Sequence, residues 1–162
     1  MTSAEVLASL PPLQVSGRVD KVRSVMAEQG LDAFVVSGLS SVRWLTGFTG
    51  SNGCVVVTAE GFTLVTDGRY ASQAPTQLAE AGCEASIVLD RWLVTGAVET
   101  LGDARRVALE ADVVTWSVVA HRKLNRIGIV CDDVSNVVWC NDQPSMRGKV
   151  SGQKCGCPSI AI

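Results

Sequence analysis

The sequence has few of the residues from which catalytic and ligand sites are usually built. It contains a single histidine, His121, in a predicted helix, where a lone histidine is more typical of a surface side chain than of a catalytic base. No Gly-x-Ser-x-Gly segment and no glycine-rich phosphate loop follows a strand, which argues against a serine hydrolase and against nucleotide binding. The net charge is −2 and the 14 lysines and arginines form no cluster, which argues against nucleic acid as a partner.

Long apolar runs and a basic leader are also missing. The apolar run at residues 54–57 is far shorter than the roughly 20 residues that span a bilayer. The first five residues, Met-Thr-Ser-Ala-Glu, have neither the basic region nor the long apolar stretch of a signal peptide. We therefore expect a cytoplasmic protein with no membrane partner.

The six cysteines are unevenly placed. Cys54 and Cys83 lie in apolar, strand-like stretches, where we expect them to be small buried hydrophobes. The remaining four are Cys131, Cys140, Cys155 and Cys157. Their spacing does not fit the two Cys-x2–4-Cys knuckles of a zinc ribbon, so we expect no shared role for them; a metal site is the alternative.

The pattern of apolar residues predicts one α/β domain. Ser16 can cap a helix that Gly30 ends, and we expect one helical turn at residues 41–45. Further helices are predicted at residues 70–81, 92–101 and 115–124. Strands are predicted at residues 31–37, 54–58, 62–66, 84–89 and 106–110, the second and third forming a hairpin. This alternation predicts a mixed β-sheet with helices on both faces.

Both ends of the chain lack this periodicity. Residues 1–15 include two consecutive prolines, which forbid a regular helix, so we expect a flexible arm. Residues 16–124 form the predicted domain. Residues 125–162 are rich in Gly, Ser, Pro and Cys and are expected to form a poorly ordered tail.

A strand-to-helix corner at residues 66–70 is the most informative local feature, together with the glycine-broken segment at 44–53. Asp67 follows a predicted strand and can cap the next helix, while Gly68 permits a sharp turn. Arg69 then lies at the carboxyl end of a strand, where ligand contacts are common in α/β sheets. The alternative is that Asp67 and Arg69 form a salt bridge that only fixes the corner.

Three spaced segments resemble the creatinase-type amino-terminal domain of Xaa-Pro aminopeptidases, Xaa-Pro dipeptidases (prolidases) and creatinase. They are Gly-Leu-Asp-Ala at residues 30–33, Trp-Leu-Thr-Gly-Phe-Thr-Gly at 44–50 and Thr-Asp-Gly-Arg-Tyr at 66–70. The resemblance covers about residues 16–124. In this family a second domain of the pita-bread fold holds two divalent metal ions, usually manganese or cobalt, through two Asp, one His and two Glu, and hydrolyses the bond before proline.

The resemblance implies a supporting role for this chain. With one histidine and few residues after 124, the metal-ligand set has no room, so we expect no catalytic residue, metal or cofactor here and no activity of the chain alone. The family's amino-terminal domain mediates subunit contacts and closes one side of the active-site cleft. The residues implied as cleft or interface candidates are Trp44, Phe48, Asp67, Arg69 and Tyr70.

The same resemblance implies self-association, or a full-length peptidase subunit, as the partner. Relatives continue into a charged helix, whereas residues 130–162 are Cys-, Ser- and Gly-rich, so we expect a truncated or frame-shifted member. The alternative is a free-standing interaction module that pairs with a full-length peptidase.

Overall fold

The helices and strands follow the predicted order. A computed structural model of the chain describes residues 13–110, 113 and 137–138. The elements are α1 (Arg18–Glu28), β1 (Ala33–Val36), α2 (Leu39–Thr46), β2 (Gly53–Thr58), β3 (Phe62–Thr66), a 3₁₀ turn (Gly68–Tyr70), α3 (Gln73–Glu80), β4 (Ser86–Leu89), α4 (Leu93–Leu101), β5 (Val107–Leu109) and β6 (Val137–Val138).

One mixed sheet carries all of these strands, in the order β4-β3-β2-β1-β5-β6. β2 runs antiparallel to both of its neighbours, β1 on one side and β3, its partner in the hairpin, on the other. β5 pairs with β1 and β4 pairs with β3 in parallel, after connections that contain a helix. The predicted mixed sheet is confirmed.

The sheet is covered on both faces, as predicted. Successive residues of β2 point to opposite faces, and those from Gly53 to Val57 are nevertheless all buried. Val56 packs with α4, while Val55 and Val57 pack with α1, α2 and α3. The α4 face is filled through Ala97 and Leu101. A strand that is buried on both faces has a continuous run of apolar residues, which is why polar and apolar residues do not alternate in β2.

Three local details differ from the predictions. The residue before α1 is Gly17, in a left-handed conformation at φ 76°, and no side chain caps the helix, so the predicted cap by Ser16 is wrong. The predicted helix at residues 70–81 is divided into the 3₁₀ turn and α3, with Pro75 in the first turn of α3. The predicted single turn at residues 41–45 is the eight-residue helix α2.

The folded part starts before residue 16. Val15 is 3% exposed, and its backbone N–H donates to the carbonyl of Ala81 at 3.0 Å, so the end of the predicted arm belongs to the core. Residues 1–12, the predicted helix at 115–124 and the four later cysteines lie outside the described residues. Within the predicted tail, residues 137–138 pair with β5. Across the described ranges, no helix is long and apolar enough to cross a membrane.

Candidate functional site

Asp67 organises the corner after β3. Its carboxylate accepts from the backbone N–H of Arg69 at 2.9 Å, from Nε and Nη2 of Arg69 at 2.9 and 2.8 Å, and from Nδ2 of Asn52 at 2.6 Å. These donors stabilise the charged form, so the Arg69 guanidinium first, then Asn52, holds the pKa of Asp67 well below its usual value. The predicted cap and the predicted salt bridge are both present.

The segment at residues 47–53 is fastened to this corner and to α3. Tyr70 Oη accepts from the backbone N–H of Ser51 at 3.0 Å and shares a hydrogen bond of 2.8 Å with its hydroxyl. Gln77 of α3 accepts from the backbone N–H of Thr49 at 2.9 Å and donates to its hydroxyl at 2.8 Å. The contact with Ser51 lowers the pKa of Tyr70. We call residues 47–53 together with 67–70 the loop corner.

Gly47 makes this loop possible. It ends α2 at φ 78°, a conformation that side chains disfavour, and a Cβ there would overlap the side chain of Ala81. The loop therefore leaves α2 in close contact with the end of α3.

Phe48 supports the loop corner from inside. It is 1% exposed, and its ring meets that of Tyr70 edge to face, with the centroids 5.3 Å apart and the planes at 89°. In the described part of the chain the Phe48 side chain therefore belongs to the core, and its predicted place at a cleft or interface stays a prediction. The ring is buried because the loop backbone folds over it at Gly50 and Gly53.

Trp44 lies apart from these residues. Its side chain is on the outer side of α2 and 48% exposed, with the Arg18 guanidinium 5.1 Å from the ring centroid. Arg18 also donates to the Trp44 carbonyl at 2.5 Å. The structure thus brings Asp67, Arg69 and Tyr70 together and leaves Trp44 as a second exposed position.

Two residues that hold the loop corner were not predicted from the sequence, Asn52 within it and Gln77 of α3 beside it. Asn52 also accepts, through its carbonyl, from the Thr66 hydroxyl at 2.6 Å. Its place between Ser51 and Gly53 gave a faint signal, because short amide side chains in glycine-rich loops often bond to nearby groups. Gln77 gave none, since an exposed glutamine in a helix looks like any solvated residue.

The loop corner is built for hydrogen bonding. Among the described residues, no group of three His, Cys, Asp or Glu side chains is placed to hold a metal ion. The Arg69 side chain is 69% exposed, although Asp67 binds one edge of its guanidinium. The Arg69 guanidinium also lies 5.5 Å from the centre of the Tyr70 ring. A guanidinium fixed in this way can still donate from its free edge to a carbonyl or carboxylate of a partner.

Comparison with known proteins assigns the chain to a family. The creatinase/prolidase N-terminal domain family matches residues 18–139. The chain belongs to this family. The match includes all three segments on which the resemblance rested, and the fold agrees with solved structures of such domains.

The individual relatives are peptidases. The chain is 34% identical over 61 residues to the uncharacterized peptidase YqhT of Bacillus subtilis, which is 38% of this chain and 17% of the relative. It is 25% identical over 158 residues to a probable Xaa-Pro aminopeptidase P of Colletotrichum graminicola, which is 82% of this chain and 25% of the relative. The chain thus spans at most about a quarter of the length of these curated relatives.

Two solved structures are similar over most of the domain. The N-terminal domain of the cytoplasmic peptidase PepQ from Mycobacterium tuberculosis has a TM-score of 0.58 and 34% identity, covering 63% of this chain and 78% of that one. An Xaa-Pro aminopeptidase structure from Streptococcus pyogenes has a TM-score of 0.62 and 28% identity, covering 70% of this chain and 87% of that one.

The two charged residues of the corner are expected to contribute differently to stability. Asp67→Ala removes the acceptor for three partners and leaves the backbone N–H of Arg69 unpaired, so it should clearly lower the urea midpoint. Arg69→Ala should change the midpoint little, since its side chain is largely exposed and such ion pairs contribute little. An Arg69→Ala loss as large as the Asp67→Ala loss would contradict this assignment.

The pH dependence supplies a control for the same prediction. The pKa of Asp67 is lower in the folded state than in the unfolded state, where it is near 3.8. The ionised carboxylate therefore makes its full contribution to the free energy of unfolding above that pH, and this contribution is lost as the pH falls below it. Asp67→Asn keeps an acceptor oxygen for the cap but does not titrate. Urea titrations between pH 7 and pH 2 should therefore show a shallower loss of stability in acid for Asp67→Asn than for the parent chain.

Proposed function

We propose that this domain is the non-catalytic, amino-terminal part of a metal-dependent Xaa-Pro peptidase, which supports a catalytic domain and does not perform the chemistry. The observation that carries the proposal is the family match over residues 18–139, together with relatives named as Xaa-Pro aminopeptidases that are several times longer than this chain. On this proposal the two divalent metal ions and their ligands belong to the catalytic domain, and this chain supplies none of them.

The loop corner is the surface that we assign to this role. Arg69 and Tyr70 are held in place from below by Asp67 and Phe48, so a partner would meet donors whose positions are already fixed. Trp44 offers an exposed aromatic side chain on the neighbouring helix. We propose that these residues close one side of a cleft or contact a neighbouring subunit, and that the protein acts in the cytoplasm, the location given for the mycobacterial PepQ.

A chimeric enzyme tests the proposal. Residues 16–139 would replace the matching domain of the Xaa-Pro dipeptidase from Bacillus anthracis, whose structure is similar at 26% identity. We expect the chimera to cleave an Xaa-Pro dipeptide with manganese, and this chain alone to release nothing above a mock preparation with manganese or cobalt. Arg69→Ala in the chimera should lower kcat/KM about tenfold, equivalent to about 1.4 kcal/mol of transition-state stabilisation, without a change in the urea midpoint.

Lys21→Ala, which removes an exposed cation of α1, is the control and should leave kcat/KM unchanged. A folded, metal-loaded chimera that responds equally to both substitutions would refute the assignment of the loop corner. Metal-dependent cleavage by this chain alone would refute the supporting role. Co-purification of this chain with a full-length peptidase, combined with an inactive chimera, would favour the free-standing interaction module.

A further inference from the structure

In the described part of the chain, strand β4 lies at one edge of the sheet. Among the described residues its strand neighbour is β3 alone, which it meets in parallel. The backbone N–H of Asp90 donates to the carbonyl of Thr66 at 2.8 Å. A strand directs its backbone groups to alternate sides within the plane of the sheet. The N–H and C=O of Val88 and Asp90 therefore point toward β3, while those of Ile87 and Leu89 point outward, beyond the edge of the sheet.

This edge is unusually apolar for an exposed strand. Val88 is 37% exposed and Leu89 is 51% exposed. Trp92, which follows directly, is 66% exposed, with the Arg91 guanidinium 5.5 Å from its ring centroid. Edge strands are normally protected by lysine, proline or a bulge, because their free backbone groups would otherwise pair with another chain. The strand sequence Ser-Ile-Val-Leu contains no lysine, proline or glycine.

We propose that β4 pairs antiparallel with β4 of a second copy of this chain, around a twofold axis at Val88, so that the two sheets continue into one. The inference rests on the proposed role in subunit contacts and adds β4 to the loop corner as a second contact surface. In this register Ile87 of each copy lies opposite Leu89 of the other. These are the residues whose backbone groups point outward, so the two pairs exchange four hydrogen bonds.

The charged residues beside the strand favour this register over its alternatives. In this register the strand is complementary to itself, which favours a second copy of the chain as the partner. Directly opposed residues of two antiparallel strands point to the same face of the sheet, and neighbouring residues point to opposite faces. A twofold axis perpendicular to the sheet must therefore lie midway between the two copies of one residue. An axis at Ile87 would set Glu84 of each copy opposite Asp90 of the other, and like charges in that position are destabilising. An axis at Leu89 would set Asp90 opposite Val88. Only the axis at Val88 places apolar side chains opposite each other at all three central pairs, and the strand is then complementary to itself.

The size of the contact predicts a reversible dimer. Stable complexes usually bury about 1,200–2,000 Å² in total, and the pairing of two four-residue strands, with Trp92 beside them, lies at or below the low end of that range. We therefore expect the full chain to elute as a dimer at about 100 µM and as a monomer at about 1 µM, which light scattering after size exclusion would measure.

Cysteine cross-linking tests the axis directly. Residues on the axis form a non-hydrogen-bonded pair with Cα atoms about 4.5 Å apart, which is within disulfide range. Val88→Cys should therefore give at least about fivefold more covalent dimer under mild oxidation than Leu89→Cys, whose two copies lie beyond the roughly 7 Å limit. The parent chain, with its own six cysteines, gives the background. Mass spectrometry would verify that the disulfide joins the two substituted positions.

Val88→Lys is the complementary variant. A charge on the axis opposes the same charge of the second copy, so the dimer fraction at about 100 µM should fall at least about fivefold while the melting temperature of the monomer is retained. Equal cross-linking of Val88→Cys and Leu89→Cys, or an unchanged dimer with Val88→Lys, would overturn the inference. A dimer that persists in that case would refute the β4 pairing but not self-association through another surface. An inactive chimera with intact cross-linking at position 88 would refute the proposed function but not the β4 pairing.

Discussion

Replacing Phe48 with alanine is expected to lower the free energy of unfolding by about 3–5 kcal/mol, the usual cost of removing a fully buried aromatic side chain. Phe48 is 1% exposed, packs edge to face on Tyr70 and is covered by the loop backbone at Gly50 and Gly53. Its loss leaves a cavity beneath the loop corner that this short loop cannot fill. A urea titration followed by circular dichroism measures the change.

Phe62→Ala is the matched control for this prediction. Phe62 begins β3 and is only partly buried against the same core cluster, so its truncation should cost clearly less. Most domains have only about 5–15 kcal/mol of stability, and Phe48→Ala should therefore consume a large part of it. Equal losses for the two variants would mean that Phe48 is not the support of the loop corner.

The sequence could predict those parts of the fold that depend on residues close to one another in the chain. The β2–β3 hairpin follows from two β-branched runs separated by a short turn, and both runs pair as expected from Gly53 to Thr66. The contact of Asp67 with Arg69 joins residues two positions apart. The glycine that ends α2, Gly47, marks the helix end by its own backbone preference.

The parts that sequence could not predict depend on contacts between distant residues. The turn that leads into α2 is held by Glu110, whose carboxylate accepts from the backbone N–H of Ser37 at 2.7 Å and of Gly38 at 2.6 Å. No local pattern marks a contact supplied from the end of another strand, and α2 was predicted too short. Val15 likewise joins the core through a bond to Ala81, which no periodicity of its own segment reveals.

The burial of Phe48 could not be predicted from the sequence for a related reason. An aromatic residue in a glycine-broken loop suggests a surface contact, because loops usually run over the outside of a domain. The glycines have the opposite effect here, since they let the backbone approach the ring closely enough to bury it. The other aromatic residue of the loop corner, Tyr70, is half-buried and keeps part of its side chain accessible.

Gly50→Ala should destabilise the domain by about 3 kcal/mol, the upper end of the usual cost of overpacking, because it adds a methyl group to a closed site. A Cβ at this position would overlap the far edge of the Phe48 ring, meeting Cζ and Cε1. Gly50 is not among the glycines with positive φ, so the expected cost is steric and not conformational. Gly68→Ala is the control, since a Cβ there meets nothing within 4 Å and should leave the urea midpoint nearly unchanged.

A double-mutant cycle identifies the atoms responsible for the Gly50→Ala loss. Phe48→Leu removes the ring edge that the new Cβ would meet, so in that background Gly50→Ala should cost much less, with a coupling of about 1–3 kcal/mol between the two positions. Additive losses would show that the Cβ clashes with something other than Phe48. Coupling would instead show that glycine at position 50 is required by the aromatic ring beneath it, which ties the Gly-Phe-Thr-Gly segment to the packing of the loop corner.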